Sequence, residues 1–352
     1  MPLTRSAFAL LLALVASPVL AADEAPLYRD IKDWLVGCDN TRACTAIAAV
    51  QARDDTGTDT YSLRVTREAG PGGELRVGLF SYNPPTGQPL LDGQPLSIRL
   101  GPGRPDTGDV GEVFAVQGDS AQRLLAELRN GKQLSLPVAD GVVVASLSGM
   151  SAALLLMDSV QGRIGSTTAL LRQGPAPAAS VPTAPAPPSL PAWQAPAPLS
   201  PADSQRLLDT VMATTRAQWQ AEVYEDSPPE GKAFALTTNQ ALVIIKTGCA
   251  AYNCTYSLYQ VPLAHPDQAR PINMAEMSRW PDLQPTGEVD FDPVTGELSS
   301  LQLAMGMGGC GTSARWRYDG ERFRLTHLAQ MGVCMGLNEA QWPVLWRTVD
   351  AP

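Results

Sequence analysis

Histidine is nearly missing from this chain: His265 and His327 are the only two in 352 residues. Imidazole-based acid–base or zinc chemistry therefore has little to draw on, although carboxylate-only hydrolases need none. No Cys-x-x-Cys pair occurs, which removes the usual dithiol redox motif. Ser146 and Ser148 lie in no Gly-x-Ser-x-Gly elbow, so that nucleophile turn is not built around them. Basic side chains are outnumbered 26 to 35, which argues against a protein that grips nucleic-acid phosphates. No second apolar run approaches membrane-spanning length.

The one uninterrupted apolar stretch is at the start. Arg5 and the amino terminus precede the run 7–15, Pro18 breaks it, and Val19, Leu20 and Ala21 end it with residues suited to a signal peptidase. The run is too short for a bilayer, and Asp23 and Glu24 follow at once. Residues 1–21 are thus expected to be a cleaved export signal. Removal of Arg5 leaves 25 basic against 35 acidic groups on about 330 residues, enough for two ordinary domains.

Residues 174–201 divide what remains. Ten prolines and eight alanines occur in these 28 residues, with no charge. Proline removes a backbone donor and fixes φ, so the tract reads as a semi-rigid polyproline-II spacer, up to about 87 Å long at roughly 3.1 Å per residue. It separates residues 22–173 from residues 202–352.

Cysteines Cys38 and Cys44 precede the spacer; Cys249, Cys254, Cys310 and Cys334 follow it. Six cysteines allow fifteen pairings, and partition by the spacer favours Cys38–Cys44, Cys249–Cys254 and Cys310–Cys334. The first would contribute roughly 2 kcal/mol and the last about 3.5 kcal/mol in the chain-entropy picture. No zinc-knuckle spacing or neighbouring histidine supports a metal site.

Both flanks read as antiparallel β. Period-two runs at 61–67 and 75–80 flank a Gly-Pro-Gly-Gly turn, with further strands expected at 44–52, 96–100, 110–116, 134–138 and 142–147. Helices are expected from Asp119 or Ser120 to Gly131, with Leu124, Leu125 and Leu128 inward, and from Ser148 or Ser151 to Gly162. Arg64, Arg67 and Arg76 are placed on the face away from the helices. After the spacer come a helix over 203–220, strands at 233–238, 242–245 and 255–261, a short helical piece at 274–279, hairpins at 289–304 and 314–326, and a last strand at 344–348. The fold class is α+β, mainly β: two antiparallel-sheet domains with short covering helices.

Two motifs fail their context. Gly306, Gly308 and Gly311 match a dinucleotide-binding glycine pattern, but Trp316 and an Asp-Gly turn follow where a helix is required. Asp290, Asp292 and Glu297 resemble a calcium loop, but Val294 occupies a ligand position. No cofactor is implied. Arg315, Trp316, Arg317 and Tyr318, with Tyr252 and Asn253, form the best recognition candidate. Strand alternation sets the two arginines opposite Trp316 and Tyr318, and core plus solvated face is the bland reading.

The segment from Asp33 and Trp34 through Cys38, Asp39, Asn40, Thr41, Arg42 and Cys44, then Gly248–Cys249 with Ala251–Asn253, and Trp316 with Asp319, Gly320 and Phe323, resembles a bacterial family, domain of unknown function 1176. The resemblance covers essentially the mature chain and implies an exported protein of the Gram-negative periplasm with six recurring cysteines. It implies no catalytic residue. The front half, at 124–132 and 146–154, also resembles the invasion-associated locus B family of exported β-rich proteins.

These observations lead to a periplasmic, non-catalytic module that binds an envelope protein or a glycan. A carboxylate-dependent cell-wall or glycan hydrolase and a small-molecule carrier are the alternatives. Intact-mass analysis of secreted material should find the chain starting at Ala22 or Asp23 and six hydrogens lighter than its fully reduced form. An uncleaved amino terminus would remove the export reading.

Overall fold

A computed structural model of the chain describes residues 24–48, 61–104, 110–223, 228–274, 280, 282–306 and 308–351. The signal segment, the end of the 44–52 strand and most of the 274–279 helical piece lie outside the described residues.

The front half is a seven-stranded antiparallel sheet ordered Leu27–Ile31, Trp34–Cys38, Cys44–Ala48, Tyr61–Arg67, Leu75–Ser81, Gly111–Gln117 and Gly101–Pro102. Alternation decides its two faces. Val36, Ala46, Val65, Val77 and Val116 stand opposite one another across five strands. That row packs beneath helix α1 (Gly118–Leu128), helix α2 (Met150–Val160) and a small sheet holding the hairpin Gln133–Val138/Gly141–Ser146. Each fully buried Val or Leu contributes about 1.5–3 kcal/mol, so this layer is the front core.

The back half is a sandwich. Strands Glu230–Ala235, Gln240–Ala250, Asn253–Pro262 and Arg270–Pro271 form one sheet; Glu288–Asp292, Glu297–Leu303, Gly311–Tyr318, Phe323–Met331 and Val344–Arg347 form the other. Leu242, Ile244 and Leu258 meet Phe291, Leu298 and Trp316 between them. On the far side of the four-stranded sheet, Val243, Ile245 and Tyr259 are covered by Leu207 and Val211 of helix α3 (Pro201–Thr214) and by Trp219.

Three local expectations change. The 203–220 helix divides at Thr215, whose hydroxyl bonds Val211 O at 2.7 Å; such back-bonding competes with helix propagation. The start is earlier than expected, because Ser200 accepts from the Asp203 amide and Pro201 takes the first helical position. Residues 96–100 are not a strand: the Ser97 amide donates to Glu127 Oε1 (2.8 Å) and the Leu100 amide to Gln88 Oε1 (2.9 Å). Arg67 leaves the face of Arg64 and Arg76, since an odd separation along a strand reverses direction. It is buried, and its carbonyl accepts from Gln161 Nε2 of the α2 C-terminus.

The proline tract runs along the body. Ser189–Leu190 pairs in parallel with Val349–Asp350. Trp193 donates to Pro293 O at 3.1 Å and meets Phe291 and Tyr318 edge-on. Gly296 makes that seat possible, because a Cβ there would lie 2.2 Å from the Trp193 ring.

The halves also share a core. Leu35, Ile47 and Phe80 on the second face of the front sheet are buried with Met331, Met335 and Trp342. Beside them the Cys38–Cys44 loop reaches the last strand. Asn40 donates to Arg347 O (3.0 Å) and accepts from Arg347 N (2.9 Å), while Asp39 Oδ2 pairs with the Arg347 guanidinium. The other Asp39 oxygen accepts from Thr41 N, Thr41 Oγ1 and Ala43 N. Replacing fully buried Asp39 by Ala removes the Arg347 ion pair and the three bonds within the loop, and leaves those of Asn40. Asp39→Ala should lower the unfolding free energy by about 2–3 kcal/mol in urea titrations; an unchanged midpoint would contradict this role for the loop.

Candidate functional site

The five-stranded sheet turns its apolar side to the sandwich core, so its other side receives the intervening residues of each strand. Register gathers these into rows. Asp290 is opposite Ser299, Ser299 opposite Arg315, Arg315 opposite His327, and His327 opposite Arg347. Four strand spacings make this polar row about 19 Å long. A second row runs Glu288, Leu301, Ser313, Ala329 and Val344. Apart from Arg347 and Ala329, these residues floor an open cavity of about 820 Å³, walled by Lys232 and Tyr256 at the Asp290 end and by Glu339 and Ala340 at the other.

Charges in this groove are unequally engaged. Lys232 Nζ lies 3.3 Å from Asp290 Oδ1, with both side chains 68% exposed; such pairs contribute little. Arg315 makes one long ion pair, 3.7 Å, to Glu297. His327 is held between two guanidiniums. Burial, then Arg315 and Arg347, push its pKa down to about 4, so at pH 7 it is a neutral imidazole with one donor and one acceptor. The Tyr256 hydroxyl donates to Gly287 O at 3.2 Å.

The recognition candidates read from sequence do not gather. Trp316 and Tyr318 belong to the sandwich core, at 1% and 3% exposure. Arg317 Nη1 pairs with Asp350 at 2.6 Å. Asn253 bonds both backbone groups of Leu303, at 2.7 and 3.0 Å, and Tyr252 donates to Ala304 O at 3.1 Å. These two residues pin the Cys249–Cys254 hairpin to the neighbouring strand. Arg315 alone of the six lines the groove. Lys232, Glu288 and His327 are not singled out as a site by sequence, and Asp290 only within a calcium-loop pattern that fails; the available signal is their alternation with core residues, which identifies a face but not its cross-strand partners.

Cys38–Cys44, Cys249–Cys254 and Cys310–Cys334 are the three disulfides. The glycine-rich stretch lies beside the last of them: a Cβ on Gly309 would lie 2.5 Å from Gly336 N, and the strand Gly311–Tyr318 follows, not a helix. Asp292 caps its own turn by accepting from Val294 N and Thr295 Oγ1, which holds its carboxyl below the usual range. No group of three potential His, Cys, Asp or Glu metal ligands occurs among the described residues.

The family model described as "Protein of unknown function (DUF1176)" matches residues 28–349. The chain belongs to this family. A relative from Escherichia coli strain K12, "Uncharacterized protein YpfG", is 32% identical over 347 residues, covering 92% of this chain and 94% of its own length. No solved structure matches. The likeness of the front half to the invasion-associated locus B family gains no support from these matches. Among the described residues of this DUF1176 chain, no helix is long and apolar enough to cross a membrane.

His327 gives the site a measurable signature. Its folded pKa, about 4, is below the ordinary 6.5. The stabilisation is therefore present above pH 6.5 and lost as pH falls towards 4, on the order of 3 kcal/mol across that window. His327→Gln should flatten this part of the stability–pH curve in chemical denaturation; an unchanged slope would assign the acid sensitivity elsewhere.

Proposed function

We propose that this DUF1176 chain is an exported, non-catalytic envelope module that holds a polar segment of an envelope protein or glycan in the groove of its five-stranded sheet. The observation that carries this reading is the row Asp290–Ser299–Arg315–His327: donors, acceptors and both charge signs line an open cavity of about 820 Å³. Three disulfides fit an oxidising compartment.

Hydrolysis by carboxylates is less well supported. A general acid needs a carboxyl kept protonated by an apolar pocket, whereas Asp290 is largely exposed beside Lys232. Glu288 and Asp290 lie on one strand, and Glu339, the carboxylate on the opposite wall, is exposed to solvent rather than set in an apolar pocket. A carrier needs an apolar cavity, and the space between the sandwich sheets is occupied by Phe291, Leu298 and Trp316.

The test is retention of envelope material on the immobilised mature chain, with peptidoglycan sacculi and solubilised envelope proteins offered separately. Ser313→Trp fills the groove floor and should reduce retention about tenfold, equivalent to about 1.4 kcal/mol. Retention that ignores this substitution, or no specific retention of either material, would defeat the proposal.

A further inference from the structure

Within the groove, positive and negative groups stand apart. Arg315 and His327 are neighbours across one strand pairing, and the Arg315 guanidinium donates no hydrogen bond among the described residues beyond its long approach to Glu297. Two strands away, Glu288 and Asp290 lie on the edge strand with Lys232 beside Asp290. The separation of Asp290 from Arg315 is two strand spacings, about 10 Å. With Glu339 counted at the far wall, the lining carries two cationic side chains and three carboxylates. A simple anion would meet a net repulsive groove; a ligand bearing one charge of each sign meets complementary groups at both ends.

We infer that the groove binds a short peptide with both ends free, about three residues long, its carboxylate at Arg315 and His327 and its amino group at Glu288 and Asp290. This inference rests on the groove being a binding surface, as proposed above. An extended chain advances about 3.3–3.6 Å per residue, so three residues span the 10 Å between the charged ends. Arginine offers a planar fork that matches a carboxylate with two parallel bonds. The neutral imidazole of His327 supplies a further donor without adding to the repulsion between Arg315 and Arg347. Ser299 lies between the ends, where backbone amides and carbonyls would need partners, and Ser313 flanks Arg315 on the same strand. Sugar recognition is the weaker match: among the described residues Tyr256 is the only Phe, Tyr or Trp ring in the lining, and its hydroxyl is engaged.

The carboxylate also alters the titration of His327. The groups facing it are Arg315 and Arg347 from the adjacent strands and Glu339 from the turn, with Asp39 engaging Arg347 and Glu297 engaging Arg315. A bound anion offsets the two guanidiniums and raises the pKa, so binding takes up a proton and tightens as pH falls from 7 towards 5.

Calorimetric and NMR titrations of the full mature chain with trialanine, N-acetyl-trialanine and trialanine amide test this. Trialanine should bind with a Kd of about 1 mM or better, and each blocked peptide should bind at least about tenfold more weakly, a loss of about 1.4 kcal/mol. Arg315→Gln should abolish the preference for the free carboxylate, Glu288→Gln that for the free amine, and His327→Gln the pH dependence. Amide spectra of each variant establish that the fold is retained. Equal binding of free and blocked peptides would overturn the free-ends inference while leaving the groove as a binding surface. No perturbation of groove signals by trialanine at roughly ten times that Kd would overturn the peptide assignment, and the Ser313→Trp retention experiment separately decides the groove.

Discussion

The arrangement of this molecule depends on a turn of five residues held shut by Cys38–Cys44. The disulfide fixes a loop whose Asp39 carboxylate is spent on both its own backbone and the Arg347 guanidinium, while Asn40 imitates a strand partner for the Arg347 backbone. That contact joins residues more than three hundred positions apart. It sets the last strand of the five-stranded sheet, and so sets the second guanidinium beside His327. Together with the bonds from Gln341 Nε2 to Val110 O (2.8 Å) and from Gly332 N to the Tyr28 hydroxyl (2.7 Å), it gives the shared layer of Leu35, Ile47, Met331 and Trp342 a polar register. Apolar packing is non-directional, whereas a two-way amide bond and a carboxylate–guanidinium pair allow one alignment.

Electrostatics on the polar face follow from that placement. Two guanidiniums flanking an imidazole would be costly if all three were charged. The molecule avoids this by giving Arg347 a buried carboxylate and leaving His327 neutral. Arg315 keeps donor capacity directed at the cavity, with only a long ion pair to Glu297. On the binding role proposed above, that remaining donor capacity is what a ligand would use.

Much of the local structure was legible in sequence. Hairpins at 61–81 and 288–303 announce themselves by alternation around glycine-containing turns, and α1 by Leu124, Leu125 and Leu128 at helical spacing. Errors arose where side chains took over backbone duties. Glu127 and Gln88 capture the amides of Ser97 and Leu100, so an alternating segment is not a strand. Thr215 bonds back to Val211 and divides a helix-compatible run. The tract of ten prolines reads as a spacer, yet its single tryptophan lodges against Phe291 and Tyr318, and two of its residues add to a strand.

By itself the sequence determined which residues alternate, where turns fall and which cysteines are close enough along the chain to close small loops, because those properties depend on neighbours a few positions away. It placed Arg315 and Arg317 on the side opposite Trp316 and Tyr318 for the same reason. Only the tertiary structure decided that Arg315 meets His327, that Asp290 lies two strands beyond, and that Asp39 and Asn40 reach Arg347. Those neighbours follow from strand register and from packing between distant segments, and a period of two along one strand contains no information about which residue of another strand will lie beside it.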